Sequence, residues 1–200
     1  MISEMKLILH AVLHIMSAPS SQTETDQTLR YPLGPCVYPE TYTPAFQHTC
    51  IQAVRDFPAE LSALLQSMQE THWQHRYRPG GWTIQQVVHH CADSHLNALI
   101  RIKFTLTEEQ LTIKPYHEDR WAETADYKLP LTVPMQLLHA IHTKLLVLFE
   151  NMTEADWQKQ YYHSEYKRYF SLQDVLCLYA WHGRHHLAHI RQALHHPFFS

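Results

Sequence analysis

Glycine is scarce in this chain, with four in 200 residues beside eleven tyrosines, seven phenylalanines and five tryptophans. A turn-rich all-β fold draws heavily on glycine, so the shortage points to helices packed by aromatic side chains. Excess charge is missing too. A net charge of −3 leaves no basic stripe for a phosphate backbone and argues against a nucleic-acid partner. Cys36, Cys50, Cys91 and Cys177 contain no Cys-x-x-Cys pair, which excludes a zinc ribbon or a redox dithiol. Reduced thiols in a cytoplasmic protein are therefore expected. His-Glu-x-x-His and Glu-x-x-His are both absent, so neither a zincin nor a di-iron carboxylate bundle fits. "RPGG" lacks the Gly-Lys-Ser/Thr ending of a phosphate loop, and no nucleophile elbow occurs.

Long apolar runs are lacking as well. The opening "MISEMKLILHAVLHIMSAPSS" has the outline of a signal peptide, but Glu4, His10 and His14 interrupt it and it is too short to span a bilayer. Residues 1–29 are expected to be a poorly ordered extension, followed by one domain over 30–200 with no membrane partner.

Helical periodicity dominates what is present. After the proline-rich arm "YPLGPCVYPETYTP", residues 45–68 put Ile51, Val54, Phe57, Leu61, Leu64 and Leu65 on one stripe, with a kink expected at Pro58. Thr83 and Gln86 form a capping-box pattern that opens a second helix at 83–106. A polar connection over 107–130 carries Tyr116 and Trp121, and a long aromatic-bearing loop is more often functional than idle. A third helix spans 133–152 with Pro134 in its first turn, and "TEADWQKQ" suggests one further short turn. "YYHSEYKRYF" reads as a strand-like crossing, and Ser171 with Asp174 opens a fourth helix at 172–195. Four long helices with unequal connections predict an all-α four-helix bundle with a long crossover.

Histidine is abundant: of eighteen, six fall in "WHGRHHLAHIRQALHH", residues 181–196. Residues advance 100° per step on a helix, so His182 and His186 share one face, as do His185 and His189. The stripe of Leu172, Leu176, Tyr179, Ile190 and Leu194 runs closer to the first pair and leaves the second on the flank. A catalytic Zn²⁺ takes three protein ligands and keeps a position open, so a third histidine must come from another helix. The second helix offers His90 and His95, between which periodicity does not choose, and turns His89 outward. Buried histidines bonded to backbone or to each other are the commoner case, but two i,i+4 pairs near a core face favour a cation.

Three segments taken together, "YRPGGWTIQQVVHHCADSHLNALIRIKFTLTEE", "IKPYHEDRWAE" and "LYAWHGRHHLAHI", resemble the YfiT-like branch of the DinB-like four-helix-bundle superfamily. The likeness runs from about Tyr31 to Leu194. It implies a metal-dependent hydrolase, with some relatives acting as thiol S-transferases, and one divalent metal ion per chain, zinc or nickel. Carried over by position, the ligands it implies are His90, His182 and His186. Cys91 stands where a leucine is more typical, and it reads as packing.

The expected reaction is hydrolysis of a small-molecule substrate by water activated at a three-histidine site. Transfer of a low-molecular-weight thiol to electrophiles is the alternative. A non-catalytic bundle, in which His189 or His95 closes a four-ligand shell, is the further one. Asp93, Ser94 and His189 are candidates for orienting groups around the metal. Tyr116, Glu118 and Trp121 are candidates for the pocket, with Asp119 as a further polar contact. A homodimer is the assembly expected.

Overall fold

The computed structural model describes residues 21–198, two thirds of them in helices. The extension expected over 1–29 lies largely outside the described residues. Its described part belongs to a helix, α1 (Ser21–Arg30). The arm over 31–43 is extended, and Gly34 takes a φ of +69°, a backbone region that disfavours a side chain.

Four long helices make the bundle: α2 (Pro44–Gln66), α3 (Ile84–Thr107), α5 (Thr132–Asn151) and α7 (Leu172–His195). Caps set three of their starts. The Thr43 side chain accepts from the Phe46 N–H, and capping boxes Thr83/Gln86 and Ser171/Asp174 open α3 and α7. α2 packs on α7 and α5, and α3 packs on the same two, so the four close a ring with α2 diagonal to α3. Residues Thr132–Asn151 are long and apolar enough to cross a membrane, but in this fold α5 is one wall of the bundle, against α2 and α3.

The long connection has more structure than expected. It carries a two-residue strand β1 (Thr112–Ile113), the short helix α4 (Glu118–Trp121) and a 3-10 turn at Ala125–Lys128. After α6 (Glu154–Gln158), the strand-like crossing is a hairpin of β2 (Gln160–His163) and β3 (Arg168–Ser171). β1 pairs parallel with β2, with Thr112 opposite Tyr162, and β2 pairs antiparallel with β3, with Tyr161 opposite Phe170.

The core divides into two apolar clusters. One gathers Val54, Ile102, Leu145, Leu172 and Leu176, and the other Phe57, Leu61, Val88, Leu138, Leu187 and Ile190. Both lie along the same helices, so each helix crosses from one to the other. At that crossing α3 contributes Ser94 and His95, α5 His142, and α7 His182 and His186. Wholly buried leucines such as Leu61, Leu138 and Leu145 hold the two ends, and each is worth about 2–5 kcal/mol against truncation to alanine.

Candidate metal centre

Between the two apolar clusters the imidazoles of His90, His182 and His186 converge. His182 Nε2 lies 3.2 Å from His90 Nε2 and 3.2 Å from His186 Nε2. One ligand nitrogen from each of the three falls within 4.8 Å of the others. Zn–N bonds of about 2.0–2.1 Å in a tetrahedron put nitrogens about 3.3 Å apart, which the two separations from His182 Nε2 match. The donor set fits as well, because three neutral imidazoles suit a borderline-soft divalent metal such as zinc or nickel. Burial keeps them neutral: desolvation lowers His90 to about 3 and holds His182 and His186 well below the usual histidine range.

Other histidines surround this group without joining it. His95, fully buried, turns Nε2 to His182 Nδ1 at 3.1 Å and Nδ1 to His142 Nε2 at 2.8 Å. His189 turns Nδ1 to His186 Nδ1 at 3.3 Å and Nε2 to the Arg30 carbonyl at 3.0 Å. Both nitrogens of each ring are thus engaged away from the convergence point, and neither ring closes a four-ligand shell. The flank positions expected for His185 and His189 are not exposed, because Tyr31 and Trp181 cover His185 and Tyr77 stacks on His189 at 3.9 Å. His89 is likewise buried rather than outward. The crossover folds over it, with Tyr127 stacked at 5.1 Å and the Leu129 carbonyl 3.1 Å from Nε2.

The orienting candidates separate. Ser94 reaches the site, its Oγ 3.4 Å from His182 Nε2. Asp93 turns to the crossover, where its carboxylate accepts from the Tyr127 hydroxyl at 2.7 Å. Burial raises that carboxyl, and the Tyr127 bond partly offsets the rise. Cys91 packs in the second apolar cluster, and burial pushes its thiol up.

A cavity of ≈720 Å³ opens over the three histidines, within the range of small-molecule sites. Tyr116 and Glu118 line it, as does Asp119. Trp121 is not among the lining residues and packs behind Tyr116 at a ring distance of 4.5 Å. The sequence reading missed Tyr31, Trp82, Arg101 and Tyr179 in the walls. Trp82 directly follows the "RPGG" stop and Tyr179 belongs to the apolar stripe of α7, so neither carried a signal of its own. His142 was missed as well, although a polar residue between Leu138 and Leu145 on a core stripe is a plainer signal.

Gly183 lets the helix carrying two of the histidines approach α2. A Cβ there would lie 2.8 Å from Phe57 Cδ2, and the Phe57 ring stacks on His95 at 5.3 Å.

The chain is similar to known proteins over most of its length. Residues 53–190 match the model of the DinB superfamily. A Bacillus mycoides (strain KBAB4) protein named "Putative metal-dependent hydrolase" is 43% identical over 162 residues, covering 81% of this chain and 93% of its own. A Bacillus cereus (strain 03BB102) protein of the same name has the same identity and coverage. Among solved structures, YfiT from Bacillus subtilis, described as "a probable metal-dependent hydrolase with an unusual four-helix bundle topology", is 36% identical with a TM-score of 0.81, over 84% of this chain and 97% of that one. The mycothiol-dependent maleylpyruvate isomerase, 14% identical with a TM-score of 0.58 over 70% of this chain and 59% of that one, shares the fold alone.

Proposed function

This chain belongs to the DinB superfamily, and on that premise we propose that it is a metal-dependent hydrolase in which His90, His182 and His186 hold one zinc or nickel ion. The observation that carries this reading is the meeting of three imidazoles from two helices at the floor of a cavity large enough for a small molecule. With His95 and His189 engaged elsewhere, a set of three histidines would hold the ion and would leave room among its ligands for water or substrate. The ion, when bound, supplies Lewis acidity that polarises a scissile carbonyl and brings deprotonation of water near neutral pH.

The protein's own groups position the substrate and shield the site. Ser94 Oγ is within reach of a polar group beside His182. Tyr179 donates to the Ser94 carbonyl at 3.0 Å and so braces that turn of α3. Trp82 packs on His90 at 4.6 Å and covers that ligand. Arg78, Arg101, Glu118 and Glu165 all line the cavity, so its walls offer both signs of charge to a small polar substrate.

The test is a screen of small amides and esters with chelator-stripped and zinc- or nickel-reloaded protein, with and without a low-molecular-weight thiol. Turnover that requires the metal and proceeds without thiol supports the proposal. Turnover only with thiol assigns S-transfer instead, and metal-loaded protein that turns over neither class marks a binding bundle.

A further inference from the structure

Two backbone carbonyls without a helical N–H partner stand at the ends of histidine chains that lead to the proposed ligands. The first belongs to Val54, in the middle of α2. An α-helix pairs that carbonyl with the N–H of residue 58, but residue 58 is proline and has none. His142 Nδ1 takes the vacancy at 2.7 Å. The second belongs to Arg30, the last residue of α1, whose carbonyl has no helical partner by position. His189 Nε2 takes that one at 3.0 Å.

A carbonyl only accepts, so each contact fixes where a proton sits, and a neutral imidazole has one N–H and one bare nitrogen. His142 therefore carries its proton on Nδ1, and its bare Nε2 accepts from His95 Nδ1 at 2.8 Å. His95 Nε2 is then bare and accepts from His182 Nδ1 at 3.1 Å. His182 Nε2 is left as a lone pair facing His90 and His186. In the second chain His189 carries its proton on Nε2, its bare Nδ1 accepts from His186 Nδ1 at 3.3 Å, and His186 Nε2 is left as a lone pair. Reversing either chain would aim a bare nitrogen at a carbonyl oxygen. Charging a ring would place an imidazolium where His95 and His142 are 0% and 2% exposed.

We infer that His142 with His95, and separately His189, are positioning residues that lock His182 and His186 in the Nδ1–H tautomer and present both Nε2 lone pairs to the metal. His90 has no such outer partner: its Nδ1 is buried without a hydrogen bond, so no histidine chain ending on a carbonyl sets the tautomer of this ring. Pro58 is thus part of the site, because it frees the carbonyl on which the longer chain ends. The inference deepens the proposed metal centre, but its first readout needs no metal.

Long-range ¹H–¹⁵N correlation spectra of full-length protein with ¹⁵N-labelled histidine, free of metal, report the tautomer of each ring. Wild type is expected to show His182 and His186 protonated at Nδ1. His142→Phe should release His182 alone, and His189→Phe should release His186 alone. Each should weaken Zn²⁺ affinity about 10- to 100-fold, as loss of an outer hydrogen-bond partner does. His142→Gln, which keeps a donor and an acceptor on one planar group, should restore most of that affinity. Protonation of His182 or His186 at Nε2 in the wild type overturns the inference. So does unchanged tautomer and affinity in folded His142→Phe and His189→Phe. If His142→Phe does not fold, the wild-type spectrum and the His189→Phe pair decide. Should the tautomers be as stated while Zn²⁺ fails to bind, the metal reading falls and the tautomer assignment stands.

Discussion

The apolar ends of the bundle and the histidine layer between them are built on the same helices but obey different rules. In the apolar clusters, Leu61, Leu138 and Leu145 are interchangeable in kind: each fills volume, and its worth follows from the water it excludes. In the histidine layer each ring has a direction. His95 has one nitrogen for His142 and one for His182, so both its orientation and its tautomer are specified. Packing thus gives the bundle its stability, while the polar layer spends burial on a defined arrangement of lone pairs. Substitutions in the two regions should separate stability from metal binding.

The largest effect is expected in the histidine layer. His182→Ala or His186→Ala removes one of three ligands and should weaken Zn²⁺ binding by more than about 100-fold. His185→Ala should leave metal content intact, since its ring packs on Trp181 and lies outside the ligand group. Metal analysis of the folded variants, verified by circular dichroism, reads the contrast; equal loss in all three would erase the distinction between ligand and neighbour.

The converse belongs to the apolar end. Leu145→Ala should lower unfolding free energy by about 2–5 kcal/mol in urea titration, yet the folded variant should bind Zn²⁺ in the same stoichiometry. Loss of metal without loss of stability in this variant would merge the two regions.

Metal-free protein should also lose stability in acid, on account of the histidine layer. Burial holds His142 near 4, against 6.5 for an unperturbed histidine, and His90, His185 and His189 are shifted the same way. Below about pH 6.5 the unfolded chain binds protons that the folded one does not, so the neutral rings favour folding fully above that pH and progressively less toward pH 4. Each such group contributes a slope of up to about 1.4 kcal/mol per pH unit. A urea midpoint that is flat between pH 7 and 5 would show that these rings are charged or exposed in the folded state.

Gly183→Ala probes where the regions touch, with the smallest expected effect. Alanine gains about 1 kcal/mol in helix propensity, but a Cβ at 2.8 Å from Phe57 overpacks the contact at about 1–3 kcal/mol. The net should be a loss of up to about 2 kcal/mol, with a modest fall in Zn²⁺ affinity as Phe57 presses on His95. A variant more stable than wild type would show that α2 yields freely there.

Sequence periodicity carried the bundle well. Helix starts at Thr83 and Ser171 were readable because a capping box is a local signal that needs no tertiary context. Two of the three converging imidazoles, His182 and His186, were readable in outline for a similar reason, since an i,i+4 pair is a geometric fact of one helix. The second helix was harder. His90 and His95 both border the core, and only the family resemblance chose His90, while the structure gives His95 a different task, bridging His182 to His142. Burial of His89, His185 and His189 was not legible, because what covers them comes from the crossover, the arm and the turn before α3. α1 was invisible for the same reason. Its polar sequence has no apolar stripe, and its place is fixed by contacts far along the chain, such as Arg30 with His189 and Leu29 with Gln192.

Titration of full-length protein, purified without an affinity tag and stripped with chelator, with Zn²⁺ against a competing chromophoric chelator tests the central claim most directly. One tight equivalent per chain, abolished in His90→Ala as in His182→Ala and His186→Ala, is the predicted result. No uptake of Zn²⁺, or of Ni²⁺ in the parallel titration, by correctly folded wild-type protein would contradict it.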